Sequence, residues 1–300
     1  MRCSPQCVML FRMSCGMEQY YEKMIVSAEK KIDFPFSGGK INGGTGQNVR
    51  ESSGKGRQMG DFIHPKKKLI GFDLDGTLTQ HKSPLGETNR QTLEKLAARY
   101  RLVMIGAGAC RRIYDQLGRF PIEIIGNYGM QHSVIRNGRF ELVEERVCPV
   151  DRGKIEKLAA DLRKKLHLEM FAGDSMEFHA SGVMTFPLLG TKARLEDKLA
   201  CDPDRRKRRA MYDEVCAAFA GYTVFIGGSS SFDITPPGCD KYHALLDFCE
   251  KNGMTPDEAV YVGDDFGPGG NDSQVMNGGI DCIEIDDYRN FPDRVACLLR

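Results

Sequence analysis

Apolar and polar positions divide the chain into a start without regular pattern and a long region where apolar runs alternate with amphipathic stretches. Short apolar runs typical of buried strands lie at 69–72, 102–105, 122–125, 259–262 and 281–285. Stretches with apolar residues at helical spacing lie at 89–100, 111–117, 241–252 and 295–299. Strands that alternate with helices predict an α/β fold with a Rossmann-like, mostly parallel sheet and helices on both faces.

The segment 146–235 has a different pattern and predicts an inserted domain. Its predicted elements are a helix at 152–166, strands around 176–186, a helix at 203–220, and strands around 224–226 and 231–234. This order favours an α+β insertion with a largely antiparallel sheet. The insertion would interrupt an α/β core made of residues 67–145 and 236–300.

The second predicted helix of this segment begins at Asp202 and Pro203, an acceptor side chain followed by a ring that tolerates the first turn. Five consecutive basic residues follow at 205–209. We interpret this run as a solvated helix face rather than a nucleic-acid site, because no aromatic residues interleave with it.

Residues 1–66 differ from the rest, since 36–60 are rich in Gly, Ser, Asn and Lys and lack apolar periodicity. This composition predicts a flexible N-terminal extension, with at most a short helix at 18–31. The glycines at 38–46 lack the order of a phosphate-binding loop. Because Met59 leads directly into the first strand, we expect the first 58 residues to be dispensable.

Composition narrows the class of protein. The chain has 42 Lys and Arg against 41 Asp and Glu, 28% charged residues and 41% apolar residues. A near-neutral globular chain is not expected to bind nucleic acid through bulk charge. No apolar run is long enough to span a membrane. The eleven cysteines are scattered without a C-x-x-C pair, which disfavours zinc and disulfides and predicts a cytoplasmic protein.

Two acidic motifs follow apolar strands. Asp73 and Asp75 end the first strand, and residues two apart on a strand point to the same side. Alone, this pattern equally fits a simple Asp/Gly turn. The strand at 259–262 runs into a second acidic loop that contains Asp264 and Asp272, and Lys241 lies upstream. Carboxylates at two parallel strand ends favour a Mg²⁺ site, and with the lysine they suit phosphoryl transfer through an aspartyl phosphate.

These motifs resemble the haloacid dehalogenase-like superfamily, in the branch with an α+β cap after the third strand. The blocks at 227–233, 237–241 and 263–272 are most similar to eukaryotic-type phosphomannomutases and their bacterial sugar-phosphatase relatives. The resemblance implies that Asp73 is the nucleophile and a Mg²⁺ ligand, and that Asp75 is the general acid/base and a ligand through its backbone carbonyl. It further implies that Asp264 and Asp272 complete the metal site and that Lys241 neutralises phosphoryl oxygens.

The chain departs from this family at two places. The second motif, 105–110, lacks the hydroxyl that holds the phosphoryl group, so we expect backbone amides of Gly108 and Ala109 to donate instead. In the cap, His179 and Thr191 replace two mutase arginines that would grip a second phosphate. Ser231 and Asp233 match cap positions that contact the sugar, although a polar strand face would also explain them.

The leading hypothesis is therefore a Mg²⁺-dependent phosphatase of a small phosphorylated metabolite, most simply a sugar phosphate. The alternative enzyme is a phosphomannomutase-type hexose phosphate isomerase. A third hypothesis, from another class, is a degenerate protein that binds a ligand without catalysis. The expected partner is a small phosphorylated substrate, with no nucleic acid or membrane, and the sequence does not fix the oligomeric state or the identity of the sugar.

Overall fold

The computed structural model describes residues 67–300, so the predicted N-terminal extension and its short helix lie outside the described residues. Seven strands form the larger sheet, in the order β11-β10-β1-β2-β3-β4-β5. These strands are β1 (Leu69–Phe72), β2 (Arg101–Ile105), β3 (Glu123–Gly126), β4 (Gln131–Arg136), β5 (Arg139–Glu145), β10 (Ala259–Gly263) and β11 (Asp281–Glu284). The first five strands in spatial order are parallel, which confirms the predicted α/β sheet.

The antiparallel hairpin of β4 and β5 at the sheet edge was not predicted. Its turn contains Asn137 and Gly138, both with positive φ, at 50° and 71°. An Asn-Gly pair between short extended stretches is a strong signal for a hairpin. The sequence therefore carried this information locally.

Helices cover both faces of the larger sheet. They are α1 (Glu87–Ala97), α2 (Cys110–Gln116), α6 (Lys241–Lys251), α7 (Ser273–Asn277) and α8 (Phe291–Arg294). Leu93, Ile113 and Phe291 pack into the apolar cluster on one face, whereas Leu245 and Phe248 pack into the cluster on the other. The predicted last helix at 295–299 is instead a short 3₁₀ segment, Ala296–Leu299, that follows α8.

A second, antiparallel sheet lies within the inserted segment, in the order β6-β7-β9-β8. Its strands are β6 (Glu177–Phe178), β7 (Met184–Pro187), β8 (Thr223–Gly227) and β9 (Ser231–Thr235), accompanied by helices α3 (Arg152–Lys165), α4 (Leu195–Cys201) and α5 (Arg206–Ala218). We call β6 to β9 with their turns the cap sheet. The boundaries of the cap at 146 and 235 stay a prediction.

The helix predicted at 203–220 is present as α5, but its predicted start at Pro203, with Asp202 as the capping residue, is wrong. Asp202 follows α4, and α5 begins only at Arg206, after Arg205 in the left-handed conformation. Asp202 is buried, and its carboxylate accepts backbone hydrogen bonds from Lys207 and Arg208 at 3.0 and 3.2 Å. The Asp202 carboxylate thus pairs with free backbone N–H groups in the first turn of α5, from five and six residues upstream. The usual capping pattern assumes a shorter spacing and therefore placed the helix start too early.

The prediction that the basic run is a solvated face is correct for Arg206, whose side chain is 87% exposed, but wrong for Arg208. The Arg208 side chain is only 1% exposed; its Nε donates to Asp202 Oδ2 at 2.8 Å, and its Nη1 donates to the Gly227 carbonyl oxygen at 2.8 Å. Arg205 and Arg209 reach carboxylates of the larger sheet's loops. A buried arginine requires such paired acceptors. For Arg208 they lie six and 19 residues away, whereas the partner of Arg205 lies 59 residues away.

Among the described residues, no helix is long and apolar enough to cross a membrane.

Candidate active site

The two acidic motifs meet because β1 and β10 are adjacent parallel strands, with Phe72 in register with Val262. The carboxyl ends of parallel strands share one edge of a sheet, where ligands bind in open α/β folds. Carboxylate oxygens of Asp73, Asp264 and Asp272 lie within 4.8 Å of one another. Gly76 makes this approach possible: its φ is 96°, and a Cβ there would lie 2.6 Å from Asp264 Oδ2.

Lys241, the first residue of α6, is fully buried beneath this cluster. Its ammonium group donates three hydrogen bonds, to Asp73 Oδ1 at 2.8 Å, Asn271 Oδ1 at 3.0 Å and Asp272 Oδ1 at 2.8 Å. These acceptors match the three protons of an ammonium group. Lys241 therefore holds Asp73 in one orientation and supplies a fixed positive charge next to it.

Asp272 is fully buried and accepts hydrogen bonds on both carboxylate oxygens. Its Oδ1 accepts from Lys241 and from the Tyr261 hydroxyl at 2.8 Å. Its Oδ2 accepts from the backbone N–H groups of Asp264 and Asp265 at 3.1 and 3.0 Å. Asp272 thus shapes the loop that carries Asp264, and among the three carboxylates it lies deepest.

Burial and charge perturb the protonation of this cluster. Burial raises the pKa of Asp73 well above its usual range; Lys241 opposes this shift, whereas Asp272 and Asp264 add to it. Burial alone would lower the pKa of Lys241, but Asp272 and Asp73 outweigh burial and raise it. Burial and Asp272 also raise the pKa of Asp264. Asp73, Asp264 and Asp272 carry three negative charges when ionised, and Lys241 together with Arg205, which pairs with Asp264, offsets two of them. One unbalanced negative charge is left, which a cation would neutralise.

Asp75 lies at the mouth of the same site. Its Oδ1 accepts from Gln116 Nε2 at 2.7 Å and from the backbone N–H of Lys82 at 2.8 Å. Its Oδ2 lies 3.6 Å from Arg112 Nη2. These contacts fix the carboxylate in the cavity wall that it shares with Asp73, and its side chain stays 18% exposed, within reach of a ligand or water.

A cavity of about 230 Å³ lies between the acidic cluster and the cap sheet. Seven of the predicted site residues line it: Asp73, Asp75, Gly108, His179, Ser231, Asp233 and Asp264. Lys241 and Asp272 lie behind the wall, and Ala109 and Thr191 are not among the lining residues. Thr191 instead contacts the backbone N–H and carboxylate of Asp174, at 2.9 and 3.2 Å.

The cap side of the cavity is polar but already cross-linked. His179 Nε2 lies 3.3 Å from Thr185 Oγ1, and the same hydroxyl donates to Asp233 Oδ1 at 3.2 Å. Asp233 Oδ2 accepts from the Tyr128 hydroxyl at 2.7 Å. Ser231 donates to the Gly227 carbonyl oxygen at 3.0 Å. Asp233 is therefore held by two donors and anchors this wall of the cavity.

Sequence reasoning missed four residues that contribute to this site. Tyr128 is fully buried with φ at 55° and stacks on Phe225 with ring centroids 5.0 Å apart. Gln116 and Arg112 contact Asp75 from α2. Arg205 Nη2 donates to Asp264 Oδ2 at 2.5 Å and ties the cap segment to the acidic loop. Tyr128 carried a local signal, as a bulky residue in an Asn-Tyr-Gly turn.

The donor set fits a magnesium ion. Asp73 and Asp264 offer hard carboxylate oxygens at one edge of the sheet, and the excess negative charge described above favours a divalent cation. Asp272, with both oxygens engaged by protein donors, fits a role in orienting these ligands. Arg205 occupies one oxygen of Asp264 and would compete with a cation there.

Comparison with known proteins places this geometry in context. The family model described as eukaryotic phosphomannomutase matches residues 89–281. Phosphomannomutase of Saccharomyces cerevisiae is 26% identical over 231 residues, which cover 73% of this chain and 89% of that protein. Phosphomannomutase 1 of Homo sapiens is 26% identical over 226 residues, covering 70% and 84%.

Among solved structures, IMP-bound IMP-nucleotidase of Plasmodium falciparum matches this chain with a TM-score of 0.56 and 12% identity, over 79% of this chain and 69% of that chain. At this identity the likeness shows a shared fold alone.

Proposed function

Since the chain belongs to the eukaryotic phosphomannomutase family of the haloacid dehalogenase-like superfamily, we propose that it is a magnesium-dependent phosphatase of a small phosphorylated sugar. Membership makes the chain an enzyme that acts on phosphoesters. The finer assignment concerns the acceptor of the phosphoryl group, which is water in a phosphatase and a sugar hydroxyl in a mutase. The residues that line the cavity support water as the acceptor.

Asp73 is the proposed nucleophile. One carboxylate oxygen attacks phosphorus and the bond from phosphorus to the sugar oxygen breaks, which leaves an aspartyl phosphate and a sugar alkoxide that must gain a proton. Lys241, bonded to Asp73 Oδ1, fixes the attacking group and lowers the repulsion between it and the phosphoryl oxygens. Magnesium, held by Asp73, Asp264 and the Asp75 backbone carbonyl, would supply further charge neutralisation.

Asp75 is the proposed general acid and base. Its protonated carboxyl group gives a proton to the departing sugar oxygen, and the resulting carboxylate then takes a proton from the water that attacks the aspartyl phosphate. Phosphate leaves and Asp73 is restored. Gln116 and the Lys82 backbone N–H hold one oxygen of Asp75, so the other oxygen is the one that carries the proton toward the cavity.

The observation that carries the phosphatase proposal is the charge of the cap sheet. Cavity-lining residues from this sheet and its turns include two carboxylates, Glu177 and Asp233, and among the described residues they include no lysine or arginine. A mutase must hold the non-reacting phosphate of a bisphosphate, which calls for cations such as arginine. Arg205 lines the cavity from outside the sheet, but Asp264 and Asp265 already engage it.

The second candidate is hexose phosphate isomerisation. The matched family and its named relatives favour this reaction over hydrolysis, because the relatives are called phosphomannomutases. Lys82, Arg112 and His81 also line the cavity on the side of the larger sheet, although burial lowers the pKa of His81 and so favours its neutral form. The two candidates share every step up to the aspartyl phosphate and differ only in what attacks it.

A panel of phosphorylated metabolites, assayed with Mg²⁺, tests the proposal. Free phosphate and interconversion of hexose 1-phosphate and 6-phosphate are measured in the same reactions, with and without a hexose bisphosphate activator. We expect phosphate release to exceed isomerisation for every active substrate. Isomerisation faster than phosphate release would make the chain a mutase. If Asp73→Asn keeps the activity of the wild type, both candidates are refuted.

A further inference from the structure

The second motif lacks its hydroxyl, and the structure shows what fills the space. Gly108 lines the cavity together with Asp73, Asp75 and Arg112. A Cβ placed on Gly108 would lie 2.7 Å from Arg112 Cζ, closer than real Cβ atoms approach a neighbour. The guanidinium therefore lies directly over the glycine. In this position the guanidinium occupies the space that a side chain at 108 would need.

Helix geometry explains why Arg112 reaches this point. Arg112 is the third residue of α2, which begins at Cys110. Side chains on an α-helix tilt toward its N-terminus and cover the preceding turn. A long side chain at 112 is thereby directed back over residue 108, toward the end of β2, where the phosphoryl group of a substrate on Asp73 would lie.

Two contacts hold the guanidinium plane and leave donors for a ligand. Arg112 Nη1 donates to Gln116 Oε1 at 2.7 Å, and Nη2 lies 3.6 Å from Asp75 Oδ2. Gln116 in turn donates to Asp75 Oδ1 at 2.7 Å. A guanidinium has five N–H groups, and the bond to Gln116 is the one protein hydrogen bond recorded for it within residues 67–300. Its side chain is 44% exposed at the cavity.

From this arrangement we propose that Arg112 is a catalytic residue that binds the transferring phosphoryl group in place of the missing second-motif hydroxyl. The inference rests on the proposed phosphoryl transfer and holds for water or a sugar as acceptor. An arginine provides two parallel donors and a full positive charge, so it is suited to the charge that builds on phosphoryl oxygens. Arg112, four residues after Gly108, would thus supply the donor that the second motif lacks.

The first experiment compares Arg112→Ala with wild type on p-nitrophenyl phosphate, which has one phosphoryl group and a leaving group that needs no proton. Loss of a phosphoryl donor predicts a fall in kcat/KM of about 10²–10³, equal for p-nitrophenyl phosphate and sugar phosphates. Orthovanadate, titrated calorimetrically with Mg²⁺ present, is expected to bind at least about tenfold more weakly. Arg111→Ala, whose exposed side chain pairs with Asp115, is the matched control and should change neither value.

Rescue is the second experiment. Gly108→Ser combined with Arg112→Ala restores a hydroxyl in the space that the guanidinium leaves, and should regain at least about tenfold in kcat/KM over Arg112→Ala. Gly108→Ala combined with Arg112→Ala adds the same Cβ without a hydroxyl and should regain nothing. Circular dichroism and thermal midpoints establish that each variant is folded.

Three results would overturn the inference. If Arg112→Ala loses activity only on substrates with a second anionic group, Arg112 binds that second group and not the transferring phosphoryl group. Unchanged orthovanadate affinity in Arg112→Ala would mean that Arg112 acts only by positioning Gln116 and Asp75. Equal activity of the serine and alanine double variants would remove the link to the missing hydroxyl. If wild type acts on no phosphomonoester, the proposed function fails, and the orthovanadate titration still decides the role of Arg112.

Discussion

Replacement of Lys241 by methionine should destabilise the protein strongly as well as inactivate it. Lys241 is completely buried and is the partner that offsets the carboxylates of Asp73 and Asp272, each 2.8 Å from its ammonium nitrogen. Methionine has a similar length but no charge and no donors. The change therefore leaves two buried carboxylates facing each other without a compensating cation.

The magnitude follows from the burial of the pair. Removal of one partner from a buried ion pair costs about 3–5 kcal/mol, because the remaining charge is left without compensation. For a protein of this size, about 1 kcal/mol lowers the thermal midpoint by about 2–4 °C, which gives a fall of about 6–20 °C. Mg²⁺ should recover part of this loss, since it supplies positive charge to the same oxygens.

The assay is thermal unfolding with a metal chelator, repeated with Mg²⁺. Lys251→Met is the matched control: Lys251 pairs with Glu144 at 2.6 Å, but both side chains are about half exposed, so its loss should cost less than about 1 kcal/mol. Adding Asp272→Asn to Lys241→Met should cost less than the two single changes together, because it removes part of the unpaired charge. A Lys241→Met midpoint within about 2 °C of wild type would refute the reasoning.

Three further predictions concern other charged groups of the protein. Arg205→Ala should lower the Mg²⁺ concentration for half-maximal activity by up to about fivefold, because it removes a cation from Asp264 Oδ2; an increase would contradict this. Arg208→Met should cost about 3–5 kcal/mol in urea unfolding, whereas Arg206→Met, with an 87% exposed side chain, should cost almost nothing. Asp75→Asn should reduce turnover by about 10²–10⁴-fold with little change in Mg²⁺ affinity, whereas Asp73→Asn should weaken Mg²⁺ binding. Equal losses of Mg²⁺ affinity in the two variants would contradict that division of roles.

Much of the acidic cluster was predictable because its position follows from local pattern. Apolar strands that end in Asp73 and Asp264 place both carboxylates at one sheet edge once the strands are parallel neighbours. The chemical roles of these residues stay predictions. Lys241 was found through its motif, although its complete burial depends on Asn271 and Asp272 packing around it.

The remaining features depend on contacts that no local pattern contains. The charge run at 205–209 gives no sign of which arginine is buried, because the partners of Arg205 and Arg208 are set by the tertiary fold. Asp202 caps α5 from a distance that the usual capping spacing does not cover. Arg112 carried a usable signal, since a glycine in the second motif with an arginine four residues later suggests a substitute donor.

The most direct test of the account is detection of the covalent phosphoenzyme. A hexose phosphate and Mg²⁺ are mixed with the enzyme, the reaction is stopped with acid within one turnover, and peptides are analysed by mass spectrometry. The account predicts one phosphoryl group on the peptide containing Asp73, absent in Asp73→Asn and without Mg²⁺. Product formation with no covalent species, or a phosphoryl group on any other residue, would contradict it.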